Sequence, residues 1–230
     1  MDGILLVDKP TGFTSHDVVA LVRRRLRIEK VGHGGTLDPA ATGLLVLLLG
    51  KGTKLSDRVM GGDKTYHGTL RLGVETSTQD AEGEPLSTGD ISAVTEEQLR
   101  TAMATFEGDI YQTPPMVSAI KKDGVALYKL ARKGQEIERE ARLVHVFRFS
   151  LIQFGLPDST IEVHCSKGTY VRTLCHDIGR KLGCYGHLAG LRRTRSGTFS
   201  IDNAITVSQI KAMQTSADLR PFVLPLAAAL

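Results

Sequence analysis

Apolar positions along the chain follow two periods. Gly3 to Val7 is nearly all apolar and runs into the turn Lys9-Pro10-Thr11-Gly12, which predicts a short first strand. Thr14 with Asp17 forms a capping box. Val18, Val22 and Leu26 repeat at helical spacing, so a helix is expected to about Leu26. Gly32 to Gly43 reads as a Gly-rich loop, and Leu44 to Leu49 as a buried strand. Thr53 to Met60 predicts a short helix. From Lys64 to Val74 the pattern alternates: Tyr66, Leu70, Leu72 and Val74 share one face, and Thr65, His67, Thr69 and Arg71 the other. Gln79 to Ser92 is polar and reads as a loop. Thr95 and Gln98 cap a helix that turns Leu99, Met103 and Phe106 inward. Asp123-Gly124 signals a hairpin.

Leu143 to Phe154 and Thr160 to Ser166 read as strands. A helix from about Thr169 to Leu182 carries the stripe Val171, Leu174, Ile178 and Leu182 and stops at Gly183. A last strand near Thr194 to Ile201 precedes a helix capped by Thr206. Strands joined by short turns and mixed with helices predict α+β: a mixed, largely antiparallel sheet flanked by helices and loops. Nothing reads as a flexible linker, so one folded unit is expected.

Composition changes this picture little. The chain has 230 residues, 41% of them hydrophobic, which suffices for a good core. Its net charge of +4 is modest but clustered: Arg23, Arg24, Arg25, Arg27 and Lys30; Arg192, Arg193 and Arg195; and Lys121, Lys122, Lys129, Arg132 and Lys133. Any one run reads as a solvated face. Three together favour a polyanionic partner such as nucleic acid. Three cysteines, Cys165, Cys175 and Cys184, form no disulfide pattern, and no apolar run is long enough to span a bilayer. A soluble cytoplasmic protein is the expectation.

Three tempting motifs fail. Gly50-Lys51-Gly52-Thr53 lacks the glycine and the hydroxyl of a phosphate loop, with Leu45 and Gly52 in their places. Gly32 to Gly35 is no dinucleotide fingerprint, because the third glycine would fall on Leu37. His164-Cys165, Cys175-His176 and Cys184-x-x-His187 hold zinc-ligand types, but only the last pair has compact spacing. Buried free thiols are the expected outcome.

The informative segment is Gly32-His33-Gly34-Gly35-Thr36-Leu37-Asp38-Pro39-Ala40-Ala41-Thr42-Gly43. Its glycines permit sharp turns and close approach of a ligand, and one carboxylate sits among them. From these residues alone, a functional loop and a turn with a surface Asp stand level.

This segment resembles the catalytic loop of the bacterial family that makes pseudouridine 55 in the T-arm of tRNA. The likeness continues through Gly3-Ile4-Leu5-Leu6-Val7-Asp8-Lys9-Pro10 with Gly12 and Thr14-Ser15, and through Asp63-Lys64-Thr65-Tyr66. It includes Thr113-Pro114-Pro115-Met116-Val117-Ser118-Ala119 and Leu127-Tyr128-x-x-Ala131-Arg132-x-Gly134. It closes with Cys165-Ser166-Lys167-Gly168-Thr169-Tyr170-Val171-Arg172-Thr173-Leu174, Leu191-Arg192-Arg193-Thr194 and Ser196-Gly197. The ordered motifs run from about Gly3 to about Leu226.

The resemblance implies an isomerase with the pseudouridine-synthase fold. Asp38 takes the catalytic aspartate position, acting by covalent attack or by removing a proton from C2′. Arg172 takes the place of the family's paired arginine, whose charge would keep a carboxylate ionised; an ordinary surface arginine is the alternative. Tyr66 would stack on the target base and assist proton removal from C5. Tyr170 matches a second substrate tyrosine. Leu191 would pack on the flipped base, and His33 would fill the space it leaves. Lys9, Lys54 and Asp80 would support the loops and the RNA backbone.

No metal or organic cofactor is implied. The expected partner is the tRNA T stem-loop, with a monomeric enzyme and no obligatory protein partner. Residues 1–226 would form the catalytic domain and 227–230 a stub, with the family's usual PUA-type domain absent. Two other classes remain: a tRNA-folding module without chemistry, and a guide-RNA-dependent relative. The first would not need Asp38.

Overall fold

The computed structural model describes residues 1–116 and 137–229, with Ser118 and two short strands at 121–122 and 125–126. The Asp123-Gly124 turn, Lys129, Arg132 and Lys133 of the third basic cluster, and the Leu127 to Gly134 motif lie outside the described residues. In chain order the strands are β1 (Gly3–Lys9), β2 (Val31–His33), β3 (Thr42–Leu49), β4 (Lys64–Leu72), β5 (Val74–Thr76), β6 (Pro85–Thr88), β7 (Gly108–Gln112), β8 (Lys121–Lys122) and β9 (Val125–Ala126). They continue with β10 (Arg142–Gln153), β11 (Asp158–Cys165), β12 (Gly186–Ser196), β13 (Phe199–Ser200), β14 (Ile205–Thr206) and β15 (Val223–Leu224). The described helices are α1 (Ser15–Arg25), α2 (Ser56–Gly61), α3 (Glu96–Ala104), α4 (Val171–Lys181), α5 (Val207–Ala212) and α6 (Ser216–Leu219), with short 3-10 turns such as Gly50–Leu55. The fold is α+β.

Two compact units emerge: Met1–His67 with Leu191–Leu230, and Gly68–Gly190. In the first, β1 pairs antiparallel with β3 along its whole length, and β14 and β15 take its other edge. Both strands are buried on both faces, which explains their unbroken apolar runs. Ile4, Leu6, Leu44, Val46 and Leu48 pack with Val59 and Phe199 on one side. Leu5, Val7, Leu45, Leu47 and Leu49 meet Val18 and Val22 of α1 and its C-cap Leu26 on the other. The Thr14–Asp17 box opens α1 as expected.

The free edge of β3 changes partner partway. Val31 to His33 pair antiparallel with Leu47 to Leu49, while Arg192 and Arg193 of β12 pair parallel with Thr42 and Gly43. Gly32 and His33 therefore belong to a strand, where the composition suggested a loop. Their pairing comes from an available edge, not from their own pattern. Residues 34–41 leave the sheet where the partner changes.

In the second unit the strand order is β12-β4-β11-β10-β7, with β10 antiparallel to both neighbours. Helix α3 packs on β10 and α4. Leu99, Met103, Val146, Phe149, Val163 and Leu174 are buried here. Val74 does not extend β4, because Gly73 at φ +95° breaks the strand; Val74 pairs with Thr88 instead. The polar stretch read as a loop thus contains β6. Phe106 lies beyond the end of α3 and is half-buried. Among the described residues no helix is long and apolar enough to cross a membrane.

Candidate active site

The loop carrying Asp38 is fastened into the first unit from three sides. Leu37 and Ala41 sink into the α1-side core, both 4% exposed, leaving Asp38 between them at the surface. Ser15, at the start of α1, accepts from Leu37 N at 2.8 Å and donates to Leu37 O at 3.1 Å. Ala41 N closes a turn on Asp38 O at 3.1 Å, and Gly12 N bonds Pro39 O at 3.0 Å.

The rest of the support comes from two buried cations. Lys9 Nζ donates to Phe13 O at 2.6 Å, Pro10 O at 3.0 Å and Pro39 O at 3.2 Å, joining the N-terminal turn to the loop. Arg193, 1% exposed, donates to Leu44 O at 2.8 Å, Gly35 O at 3.1 Å and Thr36 O at 3.2 Å. Burial lowers the Lys9 pKa to about 8; Asp38 opposes that fall and Arg193 adds to it. The carboxylate and both cations therefore share one field.

Gly43 makes the Arg193 strand's approach possible. It sits at φ +100°, and a Cβ there would collide with the Arg193 backbone. Arg192 turns the other way, its guanidinium forking onto Asp8 at 3.0 and 2.8 Å. The second basic run is thus not a solvated patch; Arg195 alone of the three is exposed.

Other expected residues in this unit are distributed unevenly. Tyr66 and Leu191 are partly buried against the core that holds Leu37 and Ala41, and Thr42 Oγ1 donates to Leu191 O at 3.4 Å. His33 is half-buried, with Nδ1 facing Gly35 N at 3.4 Å. Burial, then the charges of Arg193 and His16, hold the His33 pKa below its ordinary value. Lys54 is exposed on the 3-10 turn after β3, past the strand's opposite end from the Asp38 loop.

The second unit gathers Tyr170, Arg172 and Asp80. Arg172 is 5% exposed, so it is no ordinary surface arginine, and its Nη1 meets Asp80 Oδ2 at 3.0 Å. Its guanidinium carbon lies 5.7 Å from the centre of the Tyr170 ring. Tyr170 is the N-cap of α4, and its backbone is held at both ends by Gln112: N to Oε1 at 2.7 Å, and O from Nε2 at 3.1 Å.

Asp80 is fixed in turn. Thr78 Oγ1 and Glu82 N donate to its Oδ1, and Thr76 Oγ1 donates to its carbonyl. Gln79 beside it adopts φ +65°, and its side-chain oxygen accepts from Thr173 Oγ1 at 2.8 Å. One turn and two turns after Arg172, His176 and Arg180 both bond Glu75 Oε1, at 2.6 and 2.7 Å. Burial opposes the Glu75 charge, but the His176 and Arg180 bonds outweigh it and lower its pKa. Asp177 first, then Glu75, raise that of His176. One face of α4 is thereby laced to residues 75–80.

Sequence reasoning missed Ser15, Gln112 and the clamp role of Arg193. Ser15 had one available signal, its place beside the Thr14 cap. All three cysteines are buried free thiols, and no His/Cys/Asp/Glu group among the described residues could hold a metal.

Residues 23–171 match the TruB family pseudouridylate synthase N-terminal domain, and residues 172–230 match the tRNA pseudouridylate synthase B C-terminal domain. The tRNA pseudouridine synthase B of Opitutus terrae is 55% identical over 213 residues, spanning 93% of this chain and 88% of that protein. That of Syntrophotalea carbinolica is 49% identical over 213 residues, spanning 93% and 70%. Among solved structures, a chain of a Cbf5-Nop10-Gar1 complex is similar with a TM-score of 0.77 at 32% identity, covering 99% of this chain. A chain of an H/ACA RNP bound to a substrate RNA containing 2′-deoxyuridine has a TM-score of 0.73 at 27% identity, covering 99%. This chain spans 61% and 60% of those two. By these matches the chain belongs to the TruB family of pseudouridylate synthases.

Proposed function

We propose that the chain isomerises uridine 55 in the T-arm of tRNA to pseudouridine, with Asp38 as the reacting carboxylate. The observation that carries this reading is the loop itself. An exposed carboxylate stands on a backbone clamped from behind by two buried cations, Lys9 and Arg193. Both routes require a carboxylate held in a fixed position, which the clamped backbone provides.

The reaction breaks the bond from N1 of uracil to C1′ and makes the bond from C5 to C1′. A proton leaves C5 and N1 ends protonated, so atoms and charge balance without a cofactor. Asp38 either attacks C1′ or removes the proton from C2′. Tyr66 stacks on the base and assists removal of the C5 proton, and Leu191 packs beside it. His33, neutral near pH 7 because its pKa is lowered, suits the space the extruded base leaves. Arg172 supplies positive charge, held in one orientation by Asp80. Tyr170 contacts the substrate from a backbone fixed by Gln112. Lys54 contacts the RNA backbone.

Residues 1–226 would act as a monomer in the cytoplasm. The test is nucleoside analysis of tRNA before and after incubation, beside a tRNA carrying cytidine at position 55. Pseudouridine is expected in the first only. Equal yield in both would refute the assigned position, and none in either would refute the activity.

A further inference from the structure

Helix α1 ends in a turn that its sequence does not favour. Leu26 N bonds Val22 O at 3.1 Å and Ile28 N bonds Arg23 O at 3.2 Å, so the residue between them must take a left-handed backbone. Glycine fits that position best, yet Arg27 occupies it at φ +52°. The strain places a third guanidinium beside Arg24 and Arg25. The three line a groove of about 980 Å³ whose opposite wall is Gln214, Thr215 and Ser216. Arg25 Nε ties the two walls through Met213 O at 3.1 Å.

The groove's lining is net positive, with three guanidiniums against the one carboxylate of Asp17. Arg24, Arg25 and Arg27 are exposed, and none forms an ion pair among the described residues. The bordering acids are engaged as helix caps: Asp17 by Thr14, and Asp218 by the amides of Gln214 and Thr215. Arg23, Lys30 and Lys211 add further positive charge nearby in the chain and on α5.

We propose that this groove holds the phosphate backbone of the substrate RNA's stem, outside the loop that carries the target uridine. The inference rests on the tRNA-modifying activity proposed above. Forked guanidiniums suit phosphate oxygens. Ser15, at the other end of α1, bonds the residue next to Asp38, and the ten residues from there to Arg25 span about 15 Å. That is less than one turn of a nucleic-acid duplex, roughly 34–36 Å in B-form DNA. The groove therefore lies within one duplex turn of a loop seated on Asp38.

The test uses the full chain with tRNA and with an isolated T stem-loop, measuring Kd between about 50 and 200 mM salt. The variants are Arg24→Gln with Arg27→Gln, Arg27→Gly alone, and Lys181→Gln as a control on an exposed cation that does not line the groove. The double variant is expected to raise Kd and to flatten the log Kd against log salt slope by roughly 1–2. Arg27→Gly should weaken binding while holding or raising Tm, a combination that a purely structural residue would not give. Lys181→Gln should leave the slope unchanged.

A double variant with the parent's Kd and slope overturns the proposal, even if the parent forms pseudouridine. So does a groove-dependent affinity for an acidic peptide with none for RNA. A parent that binds RNA through the groove but forms no pseudouridine overturns the enzymatic reading and leaves the groove standing.

Discussion

Replacing Arg193 with methionine removes the rear clamp of the Asp38 loop and keeps a long apolar stem. Three carbonyl oxygens lose a charged donor: Leu44 at 2.8 Å, Gly35 at 3.1 Å and Thr36 at 3.2 Å. A hydrogen bond to a charged group contributes about 1.5–3 kcal/mol. The two loop carbonyls can recover water, whereas Leu44 is fully buried and its oxygen cannot. Removing a buried cation also relieves a desolvation cost, which offsets part of the loss. The net loss is about 2–4 kcal/mol. For a chain of this length it lowers Tm by roughly 4–16 °C, at about 2–4 °C per kcal/mol. Arg193→Lys should fall between, because one ammonium cannot serve three acceptors laid out for a fork. The assay is a thermal melt by circular dichroism, paired with turnover measured well below the melting range. Turnover should drop in both variants as the loop loosens. A methionine variant that melts with the parent and turns over at its rate would refute the clamp.

Three further outcomes follow from the same geometry. The Lys9 pKa of about 8 makes activity decline as pH rises past that value, and Lys9→Arg should move this alkaline limb upward in a pH–rate profile. Between about 8 and the ordinary 10.5 the folded chain binds fewer protons than the unfolded one, so the Lys9 contribution to stability rises across the window in which activity falls. Gly43→Ala forces a side chain into φ +100° and against the Arg193 backbone, at a cost of about 3 kcal/mol or more, and an unshifted melt would contradict it. Glu75→Gln leaves an amide oxygen facing His176 and Arg180 but removes the negative charge they share. Because the raised His176 pKa gives stability that is full below 6.5 and lost as pH rises through the folded value, urea melts should show the parent–variant gap narrowing with pH.

Local chemistry was legible in the sequence. Thr14 with Asp17, Thr95 with Gln98 and Thr206 with Gln209 all cap helices, because side chain and amide lie three residues apart. The apolar run of β3 announced burial on both faces. What stayed hidden depends on distant partners. Val31 to His33 become a strand only because β3 offers an edge, and Pro85 to Thr88 pair in a polar ribbon without a buried face to mark them. Arg192 and Arg193 read as a charged run, yet one reaches Asp8 and the other lies under the loop at Gly35, partners more than 150 residues away. The Asp38 loop itself was found through its resemblance to a family motif. Of its physical supports only Lys9 was expected, through the same resemblance, since nothing local distinguishes Ser15 from any helix-start serine.

The most direct test of the catalytic assignment is tritium release from tRNA labelled at C5 of uridine, comparing the parent chain with Asp38→Asn. Asparagine keeps the shape and removes the charge that either route needs. The account predicts release by the parent, none above background by the variant, and tRNA binding by both. Release by the Asn variant at the parent's rate would contradict it.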